Sequence, residues 1–425
     1  MIASTNAENL ALASTYQGRR RDRVPERWRE TRLRFALSLN PSWREVSRLN
    51  DDDQVSFVPM EAVGELGGLD LSASKPIGDI GSGYTYFADN DVVVAKITPC
   101  FENGKGALAR GLRNGVAFGT TELHVLRAKP TELHPEYLFY LSISYPFRGA
   151  GEASMYGAGG QKRLPESFIK DLRWTLPPLS EQRAIAAFLD RATARIDLLI
   201  EKKRRLLALL QEKRSAIIAQ AVSRGLDRDA RVKESGIPWF GLIPAQWKTM
   251  QLKFAVRFQR GHDLPQDARS DGRVPVVSSS GISGHHNVAA ARGPGVVTGR
   301  YGTIGKFSFI EGDYWPLNTT LYTNDTRGNN VRYLWWMLHV LEPLFVLNSQ
   351  KSAVPGVDRN DLHPLMVAVP PLAEQGRIAE YLDASTSQLD RAGSVIERAC
   401  QTLAELRSAL ISSAVTGRID VREAA

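Results

Sequence analysis

Two stretches of the chain place apolar residues at alternating steps of four and three positions. The apolar residues of the first seam are Ile185, Leu189, Ala192, Ile196, Leu199, Leu206, Leu210 and Ile217. The second seam keeps this register with Ile378, Leu382, Ser385, Leu389, Ala392, Ile396, Ala399, Leu403, Leu406 and Leu410. A repeat that averages roughly 3.5 residues makes a helix bury one narrow stripe against another helix. Each stretch therefore predicts one strand of a coiled coil.

The natural partner of each seam is the other seam. Lys203 and Lys213 fill the two remaining positions of the first seam, and the matching residues of the second seam are Ile396 and Leu406. Long lysine stems lie along apolar neighbours while their ammonium groups reach water. We therefore expect the two helices to pair antiparallel within one chain. Ordinary packing in a helical bundle, or self-association of the chain, is the alternative explanation of the pattern.

The chain contains an internal duplication. Residues 177–227 and 370–420 align without a gap at an offset of 193, and about 21 of 51 positions match. Both copies begin with the pattern Pro-Pro-Leu-x-Glu-Gln. A weaker echo at an offset of 219 relates Pro25 and Trp28 to Pro244 and Trp247. Each unit of the duplication thus runs from a Trp-marked start, through a globular body, into a long helix.

The two bodies follow one plan. Short β-branched runs divided by Gly and Asn, such as residues 91–97 and 295–298, lead into a helical pattern in each body. This predicts an α+β fold with two heads, each built on a twisted sheet, and two long helices that form an intramolecular antiparallel coiled coil with pseudo-two-fold symmetry. The predicted segments are an N-terminal arm (1–23), a first head (24–176), a first helical spacer (177–228), a linker (229–242), a second head (243–369) and a second helical spacer (370–425).

Composition narrows the class of protein. The chain has 425 residues, 43% of them hydrophobic, with a formal net charge of +8. No apolar run approaches the roughly 18 residues of a membrane span, so we expect no membrane partner. The only cysteines are Cys100 and Cys400, too few for a disulfide framework, which favours the cytoplasm. The moderate excess of positive charge suits contact with a polyanion.

The repeated Pro-Pro-Leu-x-Glu-Gln helices, and the Pro and Trp that open each head, resemble the specificity subunit of type I restriction-modification systems. Two segments inside the heads, 97–105 and 299–305, resemble strand-loop segments of its target-recognition domains. The resemblance implies that each head is such a domain and reads one half of a split sequence in double-stranded DNA. It further implies that the helical spacers set the gap between the halves, that two methylation subunits dock on helices and heads, and that restriction and translocase subunits join the complex.

A polar, Gly-rich stretch precedes each long helix. We name them loop A (residues 154–163) and loop B (residues 348–356). They are rich in Gln, Lys, Arg and Ser, whose side chains are able to donate to or accept from base edges. The candidate DNA contacts in the first head are Lys96, Lys105, Tyr156, Gln161, Lys162 and Arg163. Those in the second head are Arg300, Tyr301, Lys306, Ser349, Gln350 and Lys351.

No sequence motif for catalysis is found. Lys306 is followed by Phe307, so a phosphate-binding Gly-Lys-Ser/Thr loop is absent, and His285 and His286 have no second ligand pair at metal spacing. We therefore expect a non-enzymatic subunit without a cofactor. Two alternatives are a two-headed scaffold that binds proteins and spaces them with its coiled coil, and an enzyme with duplicated catalytic domains.

Overall fold

The computed structural model describes residues 25–42, 44–81, 83–158, 160–349 and 356–421. The arm expected at residues 1–23 lies outside the described residues. The chain divides into two compact units, of which unit 1 holds the residues up to Arg204 together with those from Ile396 onward, and unit 2 is Arg205–Val395. Each unit contains one sheet-rich head and parts of two long helices, so the predicted α+β class is confirmed.

In its described residues, the head of unit 1 contains ten strands and four α-helices. The strands are β1 (Arg29–Arg32), β2 (Leu37–Leu39), β3 (Gln54–Val58), β4 (Ser74–Pro76), β5 (Thr85–Ala88), β6 (Val92–Ala95), β7 (Gly106–Leu108), β8 (Val116–Gly119), β9 (Leu123–Ala128) and β10 (Arg173–Leu176). The helices are α1 (Leu33–Ala36), α2 (Pro135–Ile143), α3 (Tyr145–Ser154) and α4 (Glu166–Asp171). The main sheet has the antiparallel order β2-β9-β6-β7, and a second sheet has the order β4-β3-β8-β5 with β3 and β8 parallel.

Strand β6 explains where the core of this head lies. All four residues of its Val-Val-Val-Ala sequence are buried, so both faces of the strand are covered. Val92 and Val94 pack with helix α2, whereas Val93 and Ala95 belong to a separate cluster on the opposite face. A fully buried valine contributes roughly 1.5–3 kcal/mol relative to an exposed one, so this run anchors the sheet on both sides.

The head of unit 2 repeats this plan with a smaller second sheet. Its strands are β11 (Val232–Glu234), β12 (Leu242–Pro244), β13 (Lys248–Gln251), β14 (Arg257–Arg260), β15 (Val274–Ser278), β16 (Gly281–His286), β17 (Gly295–Gly299), β18 (Phe307–Ile310), β19 (Trp315–Pro316), β20 (Thr320–Asp325) and β21 (Met366–Val369). The main sheet has the antiparallel order β14-β20-β17-β18, and the second sheet is β16-β15-β19. Strands β11 and β12 lie in or next to the segment expected as a linker, where Ile237 and Phe240 are buried.

Two helices much longer than the rest, α5 (Leu179–Arg224) and α10 (Leu372–Val415), contribute to both units. The α-helices described between them are α6 (Leu252–Ala255), α7 (Val331–Val340), α8 (Glu342–Ser349) and α9 (Arg359–Leu362). In unit 1, Trp28 packs between Glu181 and Gly417 and Asp197 pairs with Arg407, so the start of α5 runs antiparallel to the end of α10.

The same relation holds inside unit 2. Arg214 pairs with Asp390, and Gly225 lies against Glu374, so the end of α5 runs antiparallel to the start of α10. Seam residues that are buried in the structure are Ile185, Leu189, Ile196, Ile378, Leu382, Ile396, Leu403 and Leu410. Leu199, Leu210 and Leu389 are partly buried.

Leu206 departs from the expected seam. Its side chain is 47% exposed, and its neighbour Leu207 is partly buried instead. A Cβ on Gly393 would lie 3.4 Å from Leu207 Cδ1, which places Leu207 against the other long helix. The cause is that an α-helix has roughly 3.6 residues per turn and drifts by about 20° per heptad from a 3.5-residue repeat. After buried Lys203 the buried stripe advances by four residues instead of the expected three. Later seam positions are therefore shifted by one residue, so that Arg214 is half-buried and Lys213 is exposed.

Candidate nucleic-acid interface

In the first head, loop A lies beside the segment that follows strand β6. The backbone N–H of Leu164 donates to Lys96 O at 2.7 Å, and Ile97 bridges to Arg163. Tyr156 and Arg163 exchange two backbone hydrogen bonds of 3.2 and 2.8 Å, which hold the two ends of the loop together. The structure therefore brings five of the expected contacts to one edge of the head: Lys96, Tyr156, Gln161, Lys162 and Arg163.

The side chains at this edge differ in whether they already take part in an ion pair. Tyr156 is 66% exposed, and Gln161 and Lys162 are also exposed. The guanidinium of Arg163 instead binds Glu122, with its Nη2 2.8 Å from Oε1 and its Nε 3.0 Å from Oε2. These hydrogen bonds from Arg163 hold the pKa of Glu122 below its ordinary value. The charge of Arg163 is thus compensated inside the head.

Hydrogen bonds from Lys105 stabilise the segment that contains it. Its ammonium Nζ donates to Met60 O at 3.0 Å, and its backbone N–H donates to Cys100 O at 2.9 Å. Its own carbonyl accepts a 2.9 Å hydrogen bond from Ala95 at the end of β6. Because the side chain is half-buried and already donates to the backbone, Lys105 is the least available of the expected contacts in this head.

The second head holds its corresponding segments together in the same way. Val357 N–H donates to Arg300 O at 2.9 Å, and Tyr301 bridges to Gly356. A Cβ on Gly356 would lie 2.6 Å from Tyr301 Cε1, so glycine is needed for this close approach. The guanidinium of Arg300 lies 4.9 Å from the centre of the Tyr301 ring and 3.9 Å from Asp358 Oδ2. Tyr301 itself is exposed.

The remaining candidates of the second head are placed differently. Lys306 is exposed, directly before strand β18. Ser349 is buried at the end of helix α8, where its hydroxyl donates to Val346 O at 2.6 Å, so we do not retain it as a DNA contact. Helices often satisfy serine hydroxyls on a preceding carbonyl in this way, and the sequence did not reveal that α8 reaches Ser349. Gln350 and Lys351 lie outside the described residues.

Both heads share one arrangement at this edge. The residue directly after the central strand is Lys96 in one head and Arg300 in the other, and its carbonyl accepts a hydrogen bond from the residue that follows the loop. An exposed tyrosine, Tyr156 or Tyr301, lies on the same edge. Cations suit phosphate oxygens, while amide and hydroxyl groups read base edges, so such an edge fits a nucleic-acid duplex.

Two carboxylates in these edges escaped sequence reasoning. Glu122 compensates Arg163 from 41 positions away, and Asp358 approaches Arg300 from 58 positions away. Neither residue belongs to a motif, and no spacing rule connects either of them to its partner. Only the fold brings the oppositely charged groups together.

A buried glutamine fixes the first head to the start of α5. Gln182 Nε2 donates to Pro177 O and to Glu132 O, both at 2.9 Å. Its Oε1 accepts a 2.8 Å hydrogen bond from the backbone N–H of His134, the residue before helix α2. One amide side chain therefore satisfies three backbone groups that would otherwise be orphaned at this junction.

Gln375 repeats this function in unit 2. Its Nε2 donates to Pro370 O at 2.9 Å and to Asn329 Oδ1 at 2.7 Å, and its Oε1 accepts from the N–H of Asn330 at 2.8 Å. Asn330 is the N-cap of helix α7. The Gln of each Pro-Pro-Leu-x-Glu-Gln motif thus joins a long helix to the first helix that follows the main sheet of its own head.

Metal chemistry has no support within the described ranges. No group of three or more His, Cys, Asp or Glu side chains is placed to hold a metal ion there. His286 Nδ1 instead accepts a 3.0 Å hydrogen bond from Ser270 N–H. None of the described helices combines the length and the apolar character that crossing a bilayer requires.

Comparison with protein families gives one match over most of the chain. The model of the type I restriction modification DNA specificity domain matches twice, at residues 82–208 and 244–394. The two matches fall on the two heads and extend into α5 and α10 respectively. They include both edges described above.

Relatives with curated names agree with this match. The specificity subunits of the type I restriction enzymes EcoEI and EcoAI of Escherichia coli are 40% and 39% identical over 164 and 163 residues. Each alignment covers 38% of this chain and 27% of the relative, so the match spans little more than a quarter of those proteins. The putative type I restriction enzyme MjaX specificity subunit of Methanocaldococcus jannaschii is 21% identical over 78% of this chain and 79% of its own length.

Solved structures share the fold. A chain from a structure describing complex assembly and conformational transition of the type I R-M system superposes with a TM-score of 0.73 at 20% identity, covering 94% of this chain and all of the other. The HsdS subunit of Thermoanaerobacter tengcongensis gives a TM-score of 0.56 at 20% identity, covering 93% of this chain and 98% of its own.

Proposed function

The chain belongs to the type I restriction modification DNA specificity domain family, and on that premise we propose that it is the DNA-recognition subunit of a type I restriction-modification complex. Each head reads one half of a bipartite target in double-stranded DNA. The subunit performs no reaction itself and takes no cofactor. Two methylation subunits dock on its helices and heads, and restriction and translocase subunits complete the assembly.

The observation that carries this proposal is the repeated edge. Each head places a half-buried cation, Lys96 or Arg300, directly after its central strand and an exposed tyrosine on the same edge, on a backbone that the loop holds in place. The surroundings differ, since loop A offers Gln161 and Lys162 whereas the second head stacks Arg300 on Tyr301. A shared frame with different side chains is what two readers of different half-sites require.

The long helices supply the spacing in this proposal. Helix α5 has 46 residues, and at about 1.5 Å per residue it is about 70 Å long. Heads that enter the major groove on one face of a duplex read half-sites whose centres lie about 34–36 Å apart, one helical turn. A rod of this length exceeds that separation. Inserting residues into it changes the number of unspecified base pairs between the halves.

The test is to map methylated adenines in cells that contain this protein, its methylation subunit and no other modification system. A split motif is expected. Exchanging Tyr156 and Lys162 for alanine should relax only one half of the motif, and Tyr301→Ala only the other half. The control is Tyr145→Ala, which changes an exposed tyrosine outside both edges and should leave the motif intact. An undivided motif, or changes in both halves from one head's variant, would overturn the proposal.

A further inference from the structure

Two phenylalanines occupy equivalent exposed positions in the two heads. Phe35 lies in helix α1, with sequence Leu-Arg-Phe-Ala, and Phe254 lies in helix α6, with sequence Leu-Lys-Phe-Ala, at the offset of 219. Their side chains are 62% and 58% exposed. Single exposed apolar residues are ordinary on a protein surface, but the recurrence of one at the same point of two otherwise divergent heads is not.

The backbone holds Phe35 in its outward position. Leu33 and Ala36, on either side of it, are completely buried in the core of unit 1. Lys129 Nζ donates to Phe35 O at 3.1 Å and to Arg34 O at 3.3 Å, and Lys129 N–H donates to Ala36 O at 2.9 Å. The turn has no freedom to rotate the ring inward, because rotation would expose both buried neighbours.

Phe254 is held by an equivalent set of contacts. Leu252 and Ala255 are completely buried in the core of unit 2. Asn329 Nδ2 donates to Ala255 O at 2.8 Å, and Asn329 is itself bound by Gln375 at the start of α10. The turn that carries the exposed ring is therefore linked, by two hydrogen bonds through Asn329, to the start of α10.

Basic side chains lie close to both turns. Arg32 and Arg34 flank the first turn and share the single carboxylate of Asp171. At the second turn, Lys253 Nζ lies 5.0 Å from the centre of the Phe254 ring. Burial lowers the pKa of nearby His363, and the charges of Arg359, Arg257 and Lys253 act in the same direction. Each face thus combines one exposed phenylalanine with neighbouring basic side chains.

We propose that Phe35 and Phe254 are the docking points for two copies of one protein partner, a methylation subunit, which offers each ring an apolar pocket bordered by carboxylates. This inference rests on the proposed function. The two faces are alike while the DNA-facing edges differ, so their ligand is the same at both heads. Charge complementarity selects acidic groups around the pocket.

A protein surface fits these faces better than DNA does. The basic residues alone would suit phosphates, but an apolar ring gains nothing from contact with a phosphate oxygen. Aromatic side chains and arginine are enriched at the centres of protein interfaces, where they fill pockets on the partner. The combination of a rigid aromatic and adjacent cations therefore favours an interface with an acidic protein.

The experiment measures how many methylation subunits the full-length chain binds. The purified chain is mixed with excess methylation subunit, and the mass of the complex is determined by light scattering. Wild type should bind two copies, F35A or F254A one copy at the same concentration, and the double variant none, with each site weakened by about 10- to 30-fold. Tyr145→Ala, which removes an exposed aromatic side chain that has no duplicate, is the matched control and should bind two copies.

A separate titration with DNA distinguishes the possible failures. If the double variant still binds two copies but the chain alone loses DNA affinity, these faces contact DNA and the inference is wrong. If the double variant binds both ligands as wild type does, the faces do not dock either ligand and the inference is again wrong. If wild type binds neither DNA nor the methylation subunit, the proposed function itself fails. Unchanged thermal unfolding of F35A, F254A and the double variant excludes misfolding as the cause of any loss.

Discussion

Arg407 donates from its Nε to Asp197 Oδ1 at 3.0 Å, which joins the end of helix α10 to the start of α5 inside unit 1. Unit 2 contains the duplicate of this pair, because Arg214 Nε donates to Asp390 Oδ1, also at 3.0 Å. The offset of 193 relates Asp197 to Asp390 and Arg214 to Arg407. Each helix therefore gives the aspartate of one pair and the arginine of the other, as expected for a self-complementary contact.

The two pairs should nevertheless differ in strength. The Arg407 side chain is only 14% exposed and also donates to Leu66 O at 3.4 Å, whereas Arg214 is more exposed. We expect Arg407→Ala to lower the free energy of unfolding by about 1–2 kcal/mol and Arg214→Ala by less than about 1 kcal/mol. Urea denaturation of both variants measures the difference. Equal losses would show that the additional contact of Arg407 contributes nothing.

The shifted seam in α5 gives a second prediction. Leu207→Ala removes a side chain that faces α10 beside Gly393, so we expect a loss of about 1–2 kcal/mol in the free energy of unfolding. Leu206→Ala removes an exposed side chain and should change it by less than about 0.5 kcal/mol. Thermal and urea unfolding of the two variants provide the comparison. A larger loss of unfolding free energy for Leu206→Ala would show that α5 keeps the strict 3.5-residue register.

The buried Gln182 gives a third prediction. Gln182→Leu leaves His134 N–H and the carbonyls of Pro177 and Glu132 without their partner, so we expect a loss of about 2–4 kcal/mol in the free energy of unfolding. Gln220→Leu, at an exposed position on the same helix, is the control and should stay within about 0.5 kcal/mol of wild type. A neutral Gln182→Leu would mean that water replaces all three hydrogen bonds.

The Glu122 and Arg163 pair gives a prediction about DNA binding. If loop A contacts DNA, Glu122→Gln frees the Arg163 guanidinium for a phosphate, so DNA affinity should rise by about threefold to tenfold and depend more steeply on salt. Arg163→Ala should abolish this gain in the double variant. Titrations of the four proteins at two salt concentrations form the required cycle. A gain that survives in the double variant would assign the effect to another cation.

The same pair predicts a dependence on pH. The hydrogen bonds from Arg163 favour the ionised carboxyl and hold the pKa of Glu122 below its ordinary value of 4.5. The stabilisation is therefore complete above about pH 4.5 and is lost as the pH falls through the lowered pKa. NMR titration of the Glu122 carboxyl in wild type and in Arg163→Ala tests this. The pKa should move up toward 4.5 in the variant.

Local and repeated features of the fold were predictable from the sequence. The duplicated helices, the α+β heads and the pairing of the first seam near Ile185 and Leu189 follow from periodicity, because a buried stripe must repeat with the helix. The one-residue shift at Leu206 did not follow, since it accumulates from the small mismatch between 3.6 and 3.5 residues. The burial of Ser349 was also unforeseen, because it depends on where helix α8 ends.

The candidate site was predictable only in part. Loop A pointed to Tyr156 and the segment 299–305 pointed to Tyr301, and both tyrosines are exposed in the structure. The contacts of Arg163 with Glu122 and of Lys105 with Met60 O join residues 41 and 45 positions apart. No local pattern encodes such pairings. They arise from tertiary packing, which decides whether a cation faces the solvent or another part of the head.

The core of unit 1 takes Leu403, Leu410, Ile411, Ala414 and Val415 from α10, and the Tyr137 hydroxyl donates to Val415 O at 2.9 Å. During synthesis, the first head therefore leaves the ribosome long before the residues that close its core are made. Unit 2 is one continuous stretch and has no such delay. The half of the protein that is translated first is thus the half that finishes folding last, and until then it exposes an apolar surface to chaperones and proteases.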